Sequence, residues 1–463
     1  MVLPVSSPEP TSRGAALEAL RRAGRGGPGR GFLRDELHAI FRTSDLSPRD
    51  RALAMQLAAG TVRHRRTLDL VLSYVRGGAG RARPIQPRLR DVLELGAFQL
   101  LFLDRVPAYA AVNEAVEAAA KCHQARKAAG FVNAMLRGLG RLIVGHDPDG
   151  LPGRAALPHP DGGVVRMTAP VLPDPADGRA AYLGAAYSYP DWLVVRWLGA
   201  FGEEAEAVCR WGNRRPRTLA RVNPMRHTVA DLLGRLQAET PGVVPGPRPG
   251  SIDVSALDAA RLETLCDDGT LTVQDPSAMA AVEALAPRPG EAVLDLCASP
   301  GTKTTQIVEA MGDRGRVVAA DLGEEKLEPI RRTIAARGLA SVKVSLADDL
   351  AAPSAKAFDA ALVDVPCSNT GVLARRVEAR WRLRPEGLAE LSAHQSGLLA
   401  RAAGLVRPGG RLVYSTCSLQ AEENDAVVDA FVAEHPEWHL DRHELILPGP
   451  DHDGAYWAAL VRR

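Results

Sequence analysis

From Arg13 to Arg141 apolar residues recur three and four positions apart, as in RGAALEALRRA, RDRALAMQLAAGTVRHRRTLDLVLSYV, RLRDVLELGAFQLLFL and AAVNEAVEAAAK. That spacing lines one face of a helix. It predicts an all-α bundle over 10–143, with turns near Gly60, Gly77, Gly78 and Pro107. The period then vanishes: 13 of the 36 residues from 144 to 179 are Pro or Gly, and 144–180 reads as an irregular linker or surface loop. Over 181–275 the two periods mix. Helices are expected in DWLVVRWLGAFG, EEAEAVCRWGN and DLLGRLQAE and a strand in TLARVNP, which makes a small α+β domain. From 276 to 463 the apolar strands VLDLC, RVVAADL, VKVSLADD, FDAALVDV and RLVYSTCS alternate with helices over 304–309, 324–337, 388–405 and 421–434. Alternation of that kind predicts a parallel, doubly wound α/β sheet that binds ligands at the carboxyl ends of its strands.

A chain of 463 residues exceeds a single core, in keeping with this multidomain division. It has no run of about 18 apolar residues that could span a bilayer. The opening MVLPVSSPEP lacks the basic and apolar regions of a secretion signal. Six cysteines (122, 209, 266, 297, 367, 417) are scattered without a CxxC pair. Neither a disulfide framework nor a metal site is expected, and a reducing cytoplasm is. The net charge of +2 conceals an asymmetry: residues 1–145 hold 23 Lys and Arg against 12 Asp and Glu, and the remainder 34 against 43. A basic front suits a polyanion. Arg63, Arg65, Arg66, Arg88 and Arg90 are its candidate phosphate contacts, since Arg offers a forked donor set. Arg214, Arg215 and Arg217 are further candidates for RNA contact, whereas Trp192, Trp197 and Trp211 read as core.

The chemistry concentrates in three stretches. In VLDLCASPGTKTTQI, 293–307, a strand enters a small-residue turn that leads to a helix N-terminus, where backbone amides can approach a ligand closely. It is no phosphate-binding P-loop, because the first glycine of that motif is missing. Asp321 ends the next strand, 24 residues after Cys297, where an acid can accept from both ribose hydroxyls. Cys367 in DVPCS and Cys417 in STCS end two further strands, with Asp364 close before the first. Thiolate, carboxyl group and nucleotide-like cofactor fit one reaction. Carbon 5 of cytosine becomes nucleophilic once a thiolate adds to carbon 6, helped by an acid at N3, and the enamine then attacks a methyl sulfonium.

The stretches CASPGTKTT, DVPCSNTGVLARR, the Arg380–Trp381 pair and YSTCSLQAEEN resemble the catalytic core of the RsmB-type (Fmu/Sun) 16S rRNA cytosine-5 methyltransferases. SYPDWLVVRW and NRRPRTLARVN resemble the pre-methyltransferase segment of that group, and AVNEAV with GFVNAMLR resembles the NusB-like RNA-binding domain. The resemblance covers nearly the whole chain. It implies a NusB-like bundle (10–143), a linker (144–180), a pre-methyltransferase domain (181–275) and a Rossmann-like class I methyltransferase (276–463). It further implies S-adenosylmethionine (SAM) as methyl donor, with no metal. The acceptor implied is a cytosine of 16S rRNA, free or in a small-subunit assembly particle; nothing in the sequence demands more than a monomer. By resemblance Cys417 is the nucleophile, Cys367 helps release the product, and Asp364 contacts the cytosine beside the sulfonium. Cys297, Ala298, Ser299, Pro300, Gly301, Thr302 and Lys303 form the SAM loop. Asp321 holds the ribose, and Asp348 lies near the adenine, with Asp349 the adjacent alternative. Thr302 stands where the family usually has glycine, and Asn369 where Gly or Ala is common. Thr302 is costly only if that position needs positive φ, and Asn tolerates left-handed geometry. The competing readings are a DNA cytosine-5 methyltransferase acting through Cys367 and a non-catalytic RNA chaperone or transcription factor.

Overall fold

The computed structural model describes residues 11–24, 31–78, 84–121, 125–350 and 358–463; the opening stretch 1–10 and Cys122 lie outside these. The chain forms two compact units. One comprises the chain up to Arg215 together with Arg376–Arg382, and the other comprises Pro216–Arg375 and Leu383–Arg463. The cut at Arg215 divides the 181–275 stretch that the sequence pattern reads as one domain.

The first unit is helical, as its periodicity predicts: Ser12–Ala23, Leu33–Arg42, Pro48–Arg63, Arg65–Val75, Pro87–Phe102, Ala108–Ala120 and Ala125–Leu142. Ser47 caps Pro48–Arg63 by accepting from the Asp50 amide, with Pro48 in the first turn. Gly60 permits close approach of two helices, since a Cβ there would lie 2.0 Å from Phe98 Cζ. Several arginines of the basic front are structural. Arg63 and Arg65 are buried, and Arg65 faces the fully buried Glu94 at 3.8 Å. Arg66 donates to Asp191 at 2.7 Å and to the Tyr189 carbonyl. Arg90 sits 3.6 Å from Asp69, while Arg88 is exposed. Burial, with Arg380 nearby, pushes the Arg63 guanidinium down to about 9.

Residues 144–180 are not an irregular linker. Ile143–Asp147, Val164–Met167 and Ala156–Pro158 form an antiparallel sheet, with the 164–167 strand in the middle. Its strands are too short for alternation to register. Its glycines make turns, Gly162 and Gly163 taking φ of 107° and 68° between two of the strands. Helices follow over Arg179–Ala186, which the pattern left unassigned, Asp191–Phe201 and Glu204–Trp211. Trp197 is core, packed edge-on against Tyr189, while Trp192 and Trp211 are half-buried.

The Arg380–Trp381 pair also belongs to this unit and not to the catalytic core that its motif resembles. Arg380 is fully buried. It donates to Asn213 Oδ1 at 2.6 Å and to the Gly212 carbonyl at 3.0 Å, and lies over the Tyr189 ring. Trp381 Nε1 donates to the Val62 carbonyl at 2.9 Å.

The second unit opens with a four-stranded antiparallel sheet, in the order Val244–Pro245, Ser251–Asp253, Leu219–Val222, Leu271–Val273. Helices Val229–Glu239 and Ala259–Asp267 complete a core around Val222, Leu236 and Ile252. The larger sheet has seven strands in the order 342–346, 316–321, 292–296, 358–364, 406–416, 455–462, 438–446. Its first five strands are parallel. The last two, Ala455–Arg462 and Trp438–Ile446, are antiparallel additions, so the sheet is mixed and not purely parallel. Strand residues that alternate in direction bury both faces. Leu294, Val318 and Val363 meet Leu399 and Val428 on one side, and Val293, Val317 and Leu362 meet Val282, Ile307 and Val308 on the other. Strand order reverses between 292–296 and 358–364, and that reversal opens a crevice at the carboxyl ends. No helix among the described residues is long and apolar enough to cross a membrane.

Candidate active site

The strand Ala292–Leu296 ends in a turn that carries Cys297 at φ 65° and Gly301 at φ 100°. Gly301 is the N-cap of the helix Thr302–Met311. Thr302 therefore begins the helix, and the missing glycine removes no conformation that the loop uses. The first-turn amides have no partner within their own helix and face the crevice with partial positive charge. Asp321 is buried at the end of the next strand. It accepts from the Ser299 amide at 3.0 Å and the Leu322 amide at 2.7 Å, with Lys326 Nζ at 3.2 Å. One acid thus ties the turn to the neighbouring strand. Beneath it, Asp295 is wholly buried. Its Oδ2 accepts from Thr304 Oγ1 at 2.5 Å, and its Oδ1 has no hydrogen-bond partner among the described residues. Burial, with Asp364 nearby, pushes the Asp295 carboxyl up to about 7 despite the Thr304 bond. Burial likewise pushes the Cys297 thiol up to about 12.

Across the crevice, Asp364 and Ser415 pair in register on neighbouring strands. Ser415 Oγ donates to Asp364 Oδ1 at 2.7 Å, and Lys303 Nζ donates to Oδ2 at 2.6 Å. Burial opposes the Lys303 charge, but the Asp364 carboxylate outweighs it and holds the ammonium above its usual range. Just beyond, the Cys367 and Cys417 sulfurs lie 3.1 Å apart; both are free thiols. The hydrogen bond to Cys417, reinforced by burial and the nearby Glu423 carboxylate, pushes the Cys367 thiol well above its ordinary value. Asn369 takes φ 61°, as its residue type allows. Its amide nitrogen donates to the Cys367 carbonyl at 2.7 Å, and its oxygen lies 3.4 Å from Cys417 Sγ.

The turn residues, Asp321, Lys303, Asp364, Cys367 and Cys417 therefore all belong to the carboxyl ends of adjacent strands. Asp348 does not join them. It is 81% exposed beyond the strand 342–346 and pairs with Arg401 at 2.9 Å. Of the other arginines, Arg214 is buried. Arg215 pairs with Asp161 at 3.1 Å, and Arg217 with Asp253 and Asp451 at 3.2 and 3.1 Å. Glu423, which its polar AEEN setting does not single out in the sequence, is a buried carboxylate. In the first unit, donor atoms of Asp104, His146 and His159 come within 4.8 Å of one another. His159 Nδ1 accepts from the Asp161 amide, which leaves the ring proton on Nε2. The two imidazoles also stack at 4.1 Å instead of converging on a point.

Three families of known proteins match parts of the chain. The 16S rRNA methyltransferase RsmB/F family matches residues 282–452, the NusB family residues 10–141, and the RsmF/B-like ferredoxin-like domain residues 189–252. A probable ribosomal RNA small subunit methyltransferase B from Synechocystis is 35% identical over 87% of this chain and 85% of its own. Its namesake from Bacillus subtilis is 33% identical over 88% and 85%. The ribosomal RNA small subunit methyltransferase B of Salmonella arizonae is 32% identical over 90% and 92%. The crystal structure of a protein called PH0851 superposes with a TM-score of 0.73 at 25% identity, over 98% of this chain and 99% of its own. With a curated relative 35% identical along most of both lengths, the chain belongs to the ribosomal RNA small subunit methyltransferase B family.

Proposed function

We propose that this protein transfers a methyl group from SAM to carbon 5 of a cytosine in 16S rRNA, through a covalent bond between Cys417 and the base. The two thiols 3.1 Å apart beside an Asp364 already bonded to Lys303 carry the reading. The donor set fits SAM. Asp321 Oδ2, which accepts from the Ser299 amide, keeps a lone pair for the ribose hydroxyls, and the first-turn amides of Thr302–Met311 suit the amino-acid carboxylate. Bound SAM would supply an electrophilic methyl group facing the cytosine. Asp348, exposed at its strand end, remains the proposed neighbour of the adenine.

The steps follow from placement. Cys417, as thiolate, adds to carbon 6 of the ring, while Asp364 meets the amidine edge. The proton shared along the Lys303–Asp364 bond is available to N3 as charge builds there. Carbon 5 then takes the methyl group. Water takes the carbon-5 proton, the carbon–sulfur bond breaks to reform the ring double bond and expel the Cys417 thiolate, and N3 returns its proton to Asp364. Cys367, held as the neutral thiol, donates its hydrogen to that departing sulfur. The exposed Arg88 and the half-exposed Arg215 and Arg217 are proposed RNA contacts. The buried Arg63 and Arg65 are not. The proposed setting is the cytoplasm, with a monomer acting on 16S rRNA or an assembling small subunit.

The test is a denaturing gel of wild type, Cys417→Ala and Cys367→Ala with SAM and small-subunit rRNA. The expected result is that Cys367→Ala accumulates a protein–RNA adduct and Cys417→Ala transfers no methyl. An adduct trapped by Cys417→Ala instead reverses the two roles and brings the chemistry closer to the DNA enzymes.

A further inference from the structure

We propose that Glu423 is a positioning residue that fixes the spacing of the two thiols by tethering the residue behind each; this rests on the thiol chemistry proposed above. Glu423 is wholly buried in the 3-10 turn Ala421–Glu423. One carboxylate oxygen accepts from the Ser368 amide at 2.8 Å and from Gln395 Nε2 at 3.0 Å. The other accepts from Ser418 Oγ at 2.5 Å and from the Ser368 hydroxyl. Ser368 directly follows Cys367, and Ser418 directly follows Cys417. Gln395 also donates to the Pro366 carbonyl at 2.9 Å, so both neighbours of Cys367 are held from the same point. The lacing continues around it: the Gly371 amide donates to the Cys417 carbonyl at 2.9 Å, and the Leu419 amide to Thr370 Oγ1 at 2.8 Å.

A buried carboxylate is costly unless its lone pairs are filled. Here four donors fill them, and three belong to residues adjoining the thiols. An acceptor-only group suits that position, because every donor points inward. Its charge has a second consequence. Cys367 faces Tyr414 of the strand Val406–Thr416, Cys417 just past that strand's end, Asn369 from its own loop, and Glu423. Among these, Glu423 helps to keep Cys367 protonated while Cys417 serves as nucleophile.

Glu423→Gln and Glu423→Ala, made in the full-length protein, separate geometry from charge. In Glu423→Gln the amide oxygen retains the two N–H donors, and the serine hydroxyls rotate to accept from its nitrogen. We expect kcat within about threefold of wild type, with alkylation of Cys367, followed by peptide mass spectrometry, moving to lower pH. In Glu423→Ala the tether is gone, and displacement of a reacting atom by about 1 Å is expected to lower kcat about 100-fold. SAM affinity by calorimetry should stay within about twofold. Wild-type kcat in Glu423→Ala overturns the proposal, and so does a parallel loss of SAM affinity and kcat, which would mark a merely structural residue. If Glu423→Ala does not fold, Ser368→Ala and Ser418→Ala each remove one tether and should lower kcat about 5-fold; wild-type rates in both overturn it. Methyl transfer by Cys417→Ala would instead sink the thiol chemistry itself, whatever Glu423 does.

Discussion

Arg221 offers a prediction whose size follows from the geometry. Its side chain is 5% exposed and that of Glu309 3%. They meet through two bonds, at 2.8 and 3.1 Å. Arg221 also donates to Gln274 and, at 3.0 Å, to Thr305 Oγ1. Arg221→Met keeps most of the volume but removes the charge, leaving Glu309 with Arg337 Nη1 at 3.3 Å. Breaking a buried pair in this way costs about 3–5 kcal/mol. The remaining arginine should hold the loss to the lower end, about 3 kcal/mol. With an m value of about 3 kcal/mol/M, the urea midpoint should fall by about 1 M. Arg221→Met with Glu309→Leu removes the pair but leaves the buried Arg337 without its carboxylate, so it should recover only in part, to about 2 kcal/mol below wild type. Equilibrium urea denaturation followed by circular dichroism, on wild type, both single variants and the double, measures the coupling. A single variant that unfolds at the wild-type midpoint, or a double no better than the worse single, refutes the reasoning.

Gly60→Ala improves helix propensity yet drives a Cβ into the Phe98 ring. Overpacking should dominate, with a net loss of about 1–2 kcal/mol read as a lower thermal midpoint. Thr302→Gly should leave SAM affinity within about threefold of wild type by calorimetry, since Thr302 is already helical; a tenfold gain would contradict that. Asp295, pushed up to about 7 in the folded state, holds its proton to higher pH than the unfolded chain does, so its contribution to stability is lost as pH rises toward 7. That slope is at most about 1.4 kcal/mol per pH unit. Asp295→Asn does not titrate and should gain about 2 kcal/mol relative to wild type between pH 5 and pH 7. Urea midpoints at the two pH values check it, and a pH-independent difference would count against a neutral buried Asp295.

The parallel strands were legible because they are buried on both faces and read as unbroken apolar runs, as in FDAALVDV. Their carboxyl ends carry the chemistry, so reading the strands located Asp321, Asp364, Cys367 and Cys417 as well. The antiparallel strand Trp438–Ile446 escaped notice because most of it is exposed and charged. The 143–167 sheet escaped because its strands run three to five residues between Pro- and Gly-bearing turns. A charged side chain does not announce its burial. Nothing local distinguishes Arg63 and Arg65, which are buried, from the exposed Arg88, because burial depends on partners such as Glu94 far along the chain. Glu423 is the same case with the opposite charge. It sits in a polar AEEN run, and only the fold brings four donors to it.

The seven-residue segment Arg376–Arg382 finishes a unit whose other residues all precede Pro216. During synthesis, then, Asn213 Oδ1 and the Gly212 and Val62 carbonyls emerge long before Arg380 and Trp381 arrive to fill them. At about 5–20 residues per second the ribosome takes on the order of ten seconds or more to reach Arg380. Through that interval these acceptors lack the donors that fill them in the finished unit, and the stretch of message that supplies those donors lies inside the catalytic region. A gene fragment cut after Arg215 encodes every other part of that unit but not its closing piece. Grafting the helical front onto another enzyme would therefore require this short strap to travel with it.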